Sequence, residues 1–316
     1  MHPLALLPVL VVAAGATVVH DHPSAAGTPA ARFWDEALPG TPMPEVIADL
    51  VQKGIDHSPL IEHYPINWTN TEKVPWSLVY NEKSGGFPGK PKVLPGLFFN
   101  KAQVRVGGSM NVSFPPELVQ GILPRDVAGK VPFSKLTDVL SVFNIAPNST
   151  AAALVNDTLS RCQAPVPASE QKTCTTSLEA TVQSAVRMLG TGHNSVWAVT
   201  SKIPAGSGLP LQPYVIEAVR PLDGDHYVGC HIVPFPYAVY QCHSTGQPST
   251  AYILSLRGLR EHGPWIAMAA ICHLNTSGWN PAYPAFEILH TKPGGAPVCH
   301  FMRYANLLFG VKTGKA

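Results

Sequence analysis

The dipeptide Cys-His occurs four times between residues 230 and 300, and this repetition constrains the fold more than any other feature of the chain. Ten residues separate the first two pairs, 28 separate the second and third, and 25 separate the third and fourth. Chance placement would not put four of six cysteines and four of thirteen histidines into one pattern. The pairs are Cys230-His231, Cys242-His243, Cys272-His273 and Cys299-His300.

The amino terminus predicts entry into the secretory route. An apolar run from Leu4 to Ala14 is followed by the small residues Gly15 and Ala16, a pattern typical of a signal peptide comprising residues 1–16. The run is shorter than the ~20 residues that a membrane span needs, so we expect no membrane span after cleavage. Asn-x-Ser/Thr sequences predict N-glycosylation at Asn67, Asn111, Asn148, Asn156 and Asn275.

The composition argues against nucleic acid as a partner. The 22 Lys and Arg residues nearly balance 20 Asp and Glu residues, and no basic stripe is present. The 32 prolines and the low charged fraction of 13 % are typical of a loop-rich extracellular protein.

Six cysteines in an oxidising compartment predict three disulfides. Cys162 and Cys174 are close in sequence, with a proline-containing polar loop between them, and we expect them to pair. The other four would then pair among themselves in an order that the sequence leaves open.

The pattern of apolar residues divides the chain into regions. Residues 17–95 are rich in Pro and Ala and, apart from a short amphipathic stretch from Pro44 to Val51, predict an extended arm. Its Phe33-Trp34 and Thr41-Pro42-Met43-Pro44 segments could dock on the domain that follows. Residues 96–310 form the main domain, and 311–316 are a tail.

Within the main domain, helices are predicted first and short strands later, so the fold class is α+β: a helical first half followed by an antiparallel, disulfide-stapled β-rich half. One helix should begin at a capping box of Thr176 and Glu179 and stop at Gly190. Other helices are predicted over 134–143 and 150–159, and strands over 196–200, 214–219, 237–243, 251–256, 265–273 and 286–290.

Adjacent residues on a strand point to opposite faces, so each Cys-His pair on a strand would place its cysteine on one face and its histidine on the other. Oxidised cysteines would staple the sheet, while the imidazoles converge on a metal. Structural zinc bound by thiolates is the competing interpretation, but its usual cysteine spacing is absent. Imidazole ligands in an oxidising compartment favour Cu(II). Ordinary strand histidines that bond to the backbone are the remaining alternative.

These residues resemble the plant BURP-domain family, whose carboxyl-terminal domain carries four spaced Cys-His pairs. The similarity extends from about Phe33 to Phe309. It includes the Phe-Trp and Thr-Pro-Met-Pro segments, Phe98-Phe99, Leu123-Pro124-Arg125, Pro132-Phe133-Ser134, Cys174 to Glu179, Tyr237-Ala238-Val239, Trp279-Asn280-Pro281 and Pro297 to Phe301.

The resemblance implies that His231, His243, His273 and His300 are copper ligands. It also implies a secreted protein of the apoplast, cell wall or vacuole that acts in development or stress, with cell-wall polysaccharide or a peptide as partner. The alternative that it implies is a copper-dependent peptide cyclase, which crosslinks a Trp or Tyr side chain within its own arm or in a separate peptide.

The chain departs from the family pattern at two places. The 28-residue spacing between the second and third pairs slightly exceeds the usual range and predicts a small insertion near Gly258 to Gly263. Residues Met302 to Asn306 stand where relatives commonly carry a further histidine and tryptophan, so the sequence assigns this segment no role in the site.

A cyclase that modifies itself needs an aromatic core peptide in its arm. The one attractive candidate is the segment Leu60 to Trp68, with Tyr64 or Trp68 as the aromatic to be linked. Because the segment occurs once and contains a glycosylation sequence at Asn67, packing of an aromatic arm on the domain is the favoured interpretation.

Overall fold

The computed structural model describes residue 25 and residues 27–56, 95–114, 119–165, 171–203, 208–244, 248–260 and 263–313. The predicted signal peptide, the candidate core peptide with Tyr64 and Trp68, and the sequence at Asn67 lie outside these ranges. Within the described part, helices fall mostly in the first half and all strand pairs are antiparallel, which confirms the α+β fold class.

Seven α-helices lie in the described residues, and most precede the first long strand. They are α1 (Pro29–Ala37), α2 (Glu45–Asp56), α3 (Arg125–Ala128), α4 (Leu136–Val142), α5 (Thr150–Gln163), α6 (Leu178–Leu189) and α7 (Pro284–Ile288). None of these helices combines the length and the apolarity that crossing a membrane requires.

Six strands form sheet 1, in the spatial order β1-β10-β9-β8-β5-β2. The Ser113 amide donates to the carbonyl oxygen of Pro95, just before β1, at 3.3 Å, so the two edges of the sheet approach each other. Aromatic side chains, among them Phe99, Tyr214 and Phe301, pack in one buried cluster against this sheet. The strands are β1 (Phe98–Asn100), β2 (Ser109–Phe114), β5 (Leu209–Pro221), β8 (Ser249–Gly258), β9 (Trp265–His273) and β10 (Val298–Phe301).

Five strands form sheet 2, in the order β3-β7-β6-β11-β4. Helix α6 covers one face with Leu178, Val182 and Ala185, three apolar residues at helical spacing that are fully buried. The strands are β3 (Gln171–Thr175), β4 (Val196–Val199), β6 (Tyr227–Val233), β7 (Val239–Ser244) and β11 (Leu307–Val311).

The two sheets join where the chain passes from β10 to β11. The Met302 amide donates to the carbonyl oxygen of Ala269 in sheet 1 at 2.8 Å. Met302 also packs with Ile271 of sheet 1 and with Tyr227 and Leu308 of sheet 2 in one buried cluster. The outer face of sheet 1 therefore lies against sheet 2 along this seam.

The prediction of an extended arm over residues 17–95 is corrected where the structure describes it, because helix α1 lies in that region, while α2 covers most of the amphipathic stretch and extends beyond it. Thr28 caps α1 by accepting from the Ala31 amide at 3.1 Å. Trp34 is fully buried, and its indole Nε1 donates to the Thr41 carbonyl oxygen at 2.8 Å. The Phe-Trp segment therefore docks on the domain, as its aromatic character predicts.

Two local predictions are wrong. The predicted strand 286–290 is helix α7, which begins at a proline suited to the first helical turn. The cap of α6 is Ser177, whose hydroxyl accepts from the Ala180 amide at 3.2 Å, one residue after the predicted Thr176. Gly190 ends α6 in the left-handed conformation with φ of 64°, as predicted.

Candidate metal centre

All six cysteines are oxidised, so no thiolate is available to bind zinc. The predicted Cys162–Cys174 bridge is present and links α5 to β3. The pairing that the sequence left open is Cys230–Cys242 and Cys272–Cys299, each between residues directly opposite on neighbouring strands, with 3.9 Å between their Cα atoms.

The cysteines and histidines of the four pairs occupy opposite faces of their sheets. Cys230 and Cys242 pack in the core under α6, and Cys272 and Cys299 pack in the core of sheet 1. The histidines point the other way, toward the seam between the sheets, because neighbouring strand residues alternate in direction. Each disulfide therefore fixes the backbone beneath two histidines.

Two stacked histidine pairs meet at the seam. The Nε2 atoms of His231 and His243 in sheet 2 lie 3.2 Å apart, and those of His273 and His300 in sheet 1 lie 3.3 Å apart. Across the seam, the ring centroids of His231 and His300 are 5.8 Å apart. Among the described residues, no three His, Cys, Asp or Glu side chains converge as a preformed single metal site, so the arrangement is one of pairs.

Burial keeps these imidazoles neutral. His231, His273 and His300 are 3–6 % exposed, while His243 is only partly buried. Burial, and then the neighbouring histidines, lower the pKa of His231 and of His273 well below the usual value. Burial also lowers the pKa of His243 and of His300 to about 4. Near neutral pH each ring therefore has a nitrogen lone pair.

The Nδ1 atoms differ in their contacts. Nδ1 of His300 lies 3.3 Å from the carbonyl oxygen of Phe301, and Nδ1 of His231 lies 3.2 Å from Nδ2 of Asn306. Nδ1 of His273 is buried without a hydrogen-bond partner in the described part of the chain. Its ring instead packs edge-on against Trp279, with 4.9 Å between centroids.

A glycine keeps the space beside one pair open. A Cβ placed on Gly229 of β6 would lie 3.2 Å from Nε2 of His231, 3.7 Å from Nε2 of His243 and 3.7 Å from the Met302 methyl group. A side chain here would crowd Nε2 of His231, whereas its contact with Nε2 of His243 would be an ordinary van der Waals contact.

The residues present fit a metal ion held by imidazoles. Two nitrogen ligands at the usual ~2.0 Å from one tetrahedral ion are roughly 3.3 Å apart, which is the spacing within both pairs. Neutral rings and the unpartnered Nδ1 of His273 also suit a metal, since a ligand imidazole is neutral. His231, His243, His273 and His300 could therefore hold one ion per pair or share one.

The remaining candidate residues lie elsewhere. The Asn111, Asn148, Asn156 and Asn275 side chains are exposed, as carbohydrate attachment requires. His193 and His226 are also exposed, and His226 bonds to the carboxylate of Asp225 at 2.7 Å. They are separate from the four-histidine cluster.

Sequence reasoning missed the residues that surround the cluster. Asn306 and Arg303 lie in the segment that was assigned no role, yet Asn306 contacts His231, and the positive charge of Arg303 contributes to the lowered pKa of His231. Trp279 was noted only for its family motif. The one signal in the sequence was the departure from the family pattern at 302–306. It singled out this segment but did not indicate that the segment contacts the histidines.

Comparisons with known proteins identify the family to which the main domain belongs. The family model for the BURP domain matches residues 97–311. The chain is 42 % identical over 225 residues, 70 % of its length, to 57 % of protein RAFTIN 1A from Triticum aestivum. It is 42 % identical over 228 residues, again 70 % of its length, to 54 % of BURP domain-containing protein 13 from Oryza sativa subsp. japonica.

A third relative is the BURP domain protein RD22 from Arabidopsis thaliana. The chain is 39 % identical to it over 214 residues, which are 65 % of this chain and 53 % of that protein. The chain thus spans about half the length of these curated relatives.

Proposed function

The chain belongs to the BURP-domain family of plant proteins, and from this premise we propose that it is a secreted copper-binding protein of the apoplast or cell wall that acts in plant development or the response to stress. The three disulfides fit an oxidising compartment.

The observation that carries the proposal is the meeting of two stacked histidine pairs at the seam. The Nε2 spacings of 3.2 and 3.3 Å suit two ligands of one tetrahedral ion. Imidazole is a ligand that suits copper, and Cu(II) stands highest in the general affinity order of divalent metals. His231 and His243 would hold copper from sheet 2, and His273 and His300 from sheet 1. Bound copper would supply one-electron redox chemistry.

The protein's own residues would set the geometry of that site. The Cys230–Cys242 and Cys272–Cys299 bridges fix the strands, so each histidine pair keeps its spacing without help from the metal. Burial of the rings excludes most water, and Trp279 holds the plane of His273 by edge-on packing. These contacts orient the ligands before copper arrives.

Oxidative crosslinking of a peptide is the second candidate function. The observation that favours it is the partial exposure of His243 and of Trp279, through which a substrate side chain could approach the cluster. Joining an aromatic side chain to another residue removes two hydrogens, and oxygen would accept the two electrons and two protons.

Elemental analysis tests copper binding directly. Purified protein should contain copper, and the double variant His243→Ala, His273→Ala should lose most of it because each pair loses one ligand. The matched control, His193→Ala with His226→Ala, removes two exposed histidines and should keep the copper. Equal copper in the cluster variant and the control would refute the assignment.

Mass spectrometry tests the enzymatic alternative. The protein is incubated with Cu(II) and oxygen, digested with trypsin and compared with an anaerobic sample. Loss of two hydrogens from the peptide containing Leu60 to Trp68 would support crosslinking of Tyr64 or Trp68. An unchanged mass removes the version in which the protein modifies itself.

A further inference from the structure

A cavity of about 610 Å³ is lined by the amino-terminal helices α1 and α2, by the segment that leads into α3, and by the first turn of α6. Ligand pockets in proteins typically have volumes of roughly 300–1,000 Å³, mostly apolar walls and few polar groups. The four clustered histidines are not among the lining residues of this cavity. Its apolar walls include Phe33, Val51, Ile55, Ile122 and Leu123.

One carboxylate lies among these apolar walls. Glu179 lines the cavity and is 5 % exposed. Within the part of the chain that the structure describes, its carboxylate has no hydrogen-bond or ion-pair partner. Capping of α6 does not require it, because the Ser177 hydroxyl accepts from the Ala180 amide. A buried carboxylate that lacks a partner is costly, so a cation that enters the cavity would relieve that cost.

The local charges favour a cation as the ligand. Glu179 lies in the first turn of α6, where the helix dipole stabilises a negative charge. Arg125 and Asp126 also line the cavity, but both are exposed and their opposite charges offset each other. Water and salt screen such exposed charges more than they screen a buried one. The buried carboxylate therefore determines the sign of the charge that the cavity attracts.

The apolar walls favour one kind of cation. A guanidinium has five N–H donors in a rigid fork, and a single carboxylate accepts from two of them. The remaining donors would face side chains such as Phe33 and Ile55, which cannot accept. A primary ammonium has three donors on a flexible stem, so fewer donors remain without an acceptor. The methylene groups of that stem can pack against the apolar walls.

We propose that this cavity binds a primary alkylammonium group, with Glu179 as its anionic partner and the apolar walls around its stem. Two sources offer this group: the lysine side chain of a peptide and a free aliphatic amine. The site requires neither copper nor the four histidines, so the inference goes beyond the proposed function and is independent of it.

Calorimetric titration of the purified protein tests the requirement for a positive charge. The first probe is n-pentylamine, and its uncharged control is 1-pentanol. The second is an acetylated and amidated Gly-Lys-Gly peptide, and its control carries norleucine in place of lysine. At least one charged probe should bind about tenfold more tightly than its control, because a hydrogen bond to a charged group is the stronger kind. Equal binding of each probe and its control, or no binding at all, would overturn the proposal.

The variant Glu179→Gln tests the assigned partner. It keeps the size of the side chain and removes its charge, so affinity for the charged probe should fall about tenfold. The matched control, Asp35→Asn, makes the same kind of change at an exposed carboxylate of α1 that does not line the cavity, and it should bind as wild type does. Equal affinity in Glu179→Gln and wild type would contradict the assignment.

Nuclear magnetic resonance of the wild-type protein locates the bound probe without relying on the folding of a variant. The methyl signals of Ile55 and Ile122 should shift when n-pentylamine is added, because both side chains line the cavity. The methyl signals of Ile288, which is 41 % exposed and lies outside the cavity, should stay unchanged. Shifts at Ile288 without shifts at Ile55 and Ile122 would place the amine elsewhere and refute the site.

Discussion

At the scale of single residues, burial makes the four histidines alike, and the contacts of Nδ1 make them different. All four have a lowered pKa because burial disfavours the charged ring. A lowered pKa makes the free energy of unfolding depend on pH, because the unfolded chain binds protons in a pH range where the folded protein does not.

The metal-free protein should lose stability as pH falls from about 6.5 toward 4. The pKa of His300 is 6.5 in the unfolded chain and about 4 in the folded protein. Above pH 6.5 His300 is unprotonated in both states. Below pH 6.5 the unfolded chain takes up a proton before the folded protein does, which favours unfolding. His300 alone lowers the free energy of unfolding by about 3 kcal/mol at pH 4. Urea unfolding at several pH values measures it.

The matched variants isolate that contribution. His300→Gln should show a flatter decline of unfolding free energy with falling pH, because its site no longer titrates. His193→Gln, at an exposed position, should follow the wild-type curve. A wild-type free energy of unfolding that stays constant from pH 7 to 4 would contradict the burial argument.

A methyl group at Gly229 should weaken metal binding without unfolding the protein. The added Cβ would lie 3.2 Å from Nε2 of His231, tight enough to displace the ring. We expect about a tenfold loss of Cu(II) affinity in Gly229→Ala, as for other changes that misorient a ligand. Gly192→Ala, with no atom within 4 Å of the added Cβ, is the control and should bind as wild type does.

At the scale of elements, side chains alternate between the two faces of each strand. In each Cys-His pair the cysteine therefore forms a disulfide on one face, and the histidine joins the cluster on the other. The Cys230–Cys242 and Cys162–Cys174 bridges have the same sequence separation of 12 residues, but only the first lies beneath histidines of the cluster. Equal loop lengths imply similar stabilisation through the unfolded chain, about 3 kcal/mol each.

Removing each of these two disulfides in turn should therefore distinguish an effect on stability from an effect on metal binding. Cys230→Ala with Cys242→Ala and Cys162→Ala with Cys174→Ala should each lower the free energy of unfolding by about 3 kcal/mol. Only the first should also reduce bound copper, because β6 and β7 are then free to separate His231 from His243. Chemical denaturation and elemental analysis give the two readouts, and equal copper in both variants would argue against the role of the bridge.

At the scale of the whole molecule, the amino-terminal helices belong to the same folded unit as the strands. Trp34 of α1 shares one buried cluster with Val182 of α6, and Lys312 after β11 donates to the Pro39 carbonyl oxygen at 2.6 Å. Deletion of residues 17–95 would therefore remove core residues.

Substitution of Trp34 should destabilise the entire protein. Trp34→Ala removes a fully buried side chain, and a loss of about 3–5 kcal/mol in unfolding free energy is expected. Trp265→Ala, at a tryptophan that is 60 % exposed, should change it by less than about 1 kcal/mol. Thermal unfolding followed by circular dichroism compares the two, and equal effects would show that the helices are not part of the core.

The sequence by itself determined the elements with strong periodic or repeated signals. The stripe of Leu178, Val182 and Val186 with Gly190 behind it predicts α6, and the repeated Cys-His pairs predict separate rows of cysteines and histidines. These features depend on local geometry, which neighbouring residues specify. Helix α7 was missed because a short run with aromatic and aliphatic residues suits either a strand or a helix.

Only the tertiary structure decided which cysteines pair, which histidines stack and what surrounds them. The sequence allowed several pairings of the four late cysteines, and strand register selected one of them. Asn306 reaches His231 across 75 positions in the chain. Such contacts depend on how two sheets pack at their seam, a long-range arrangement that no local pattern encodes.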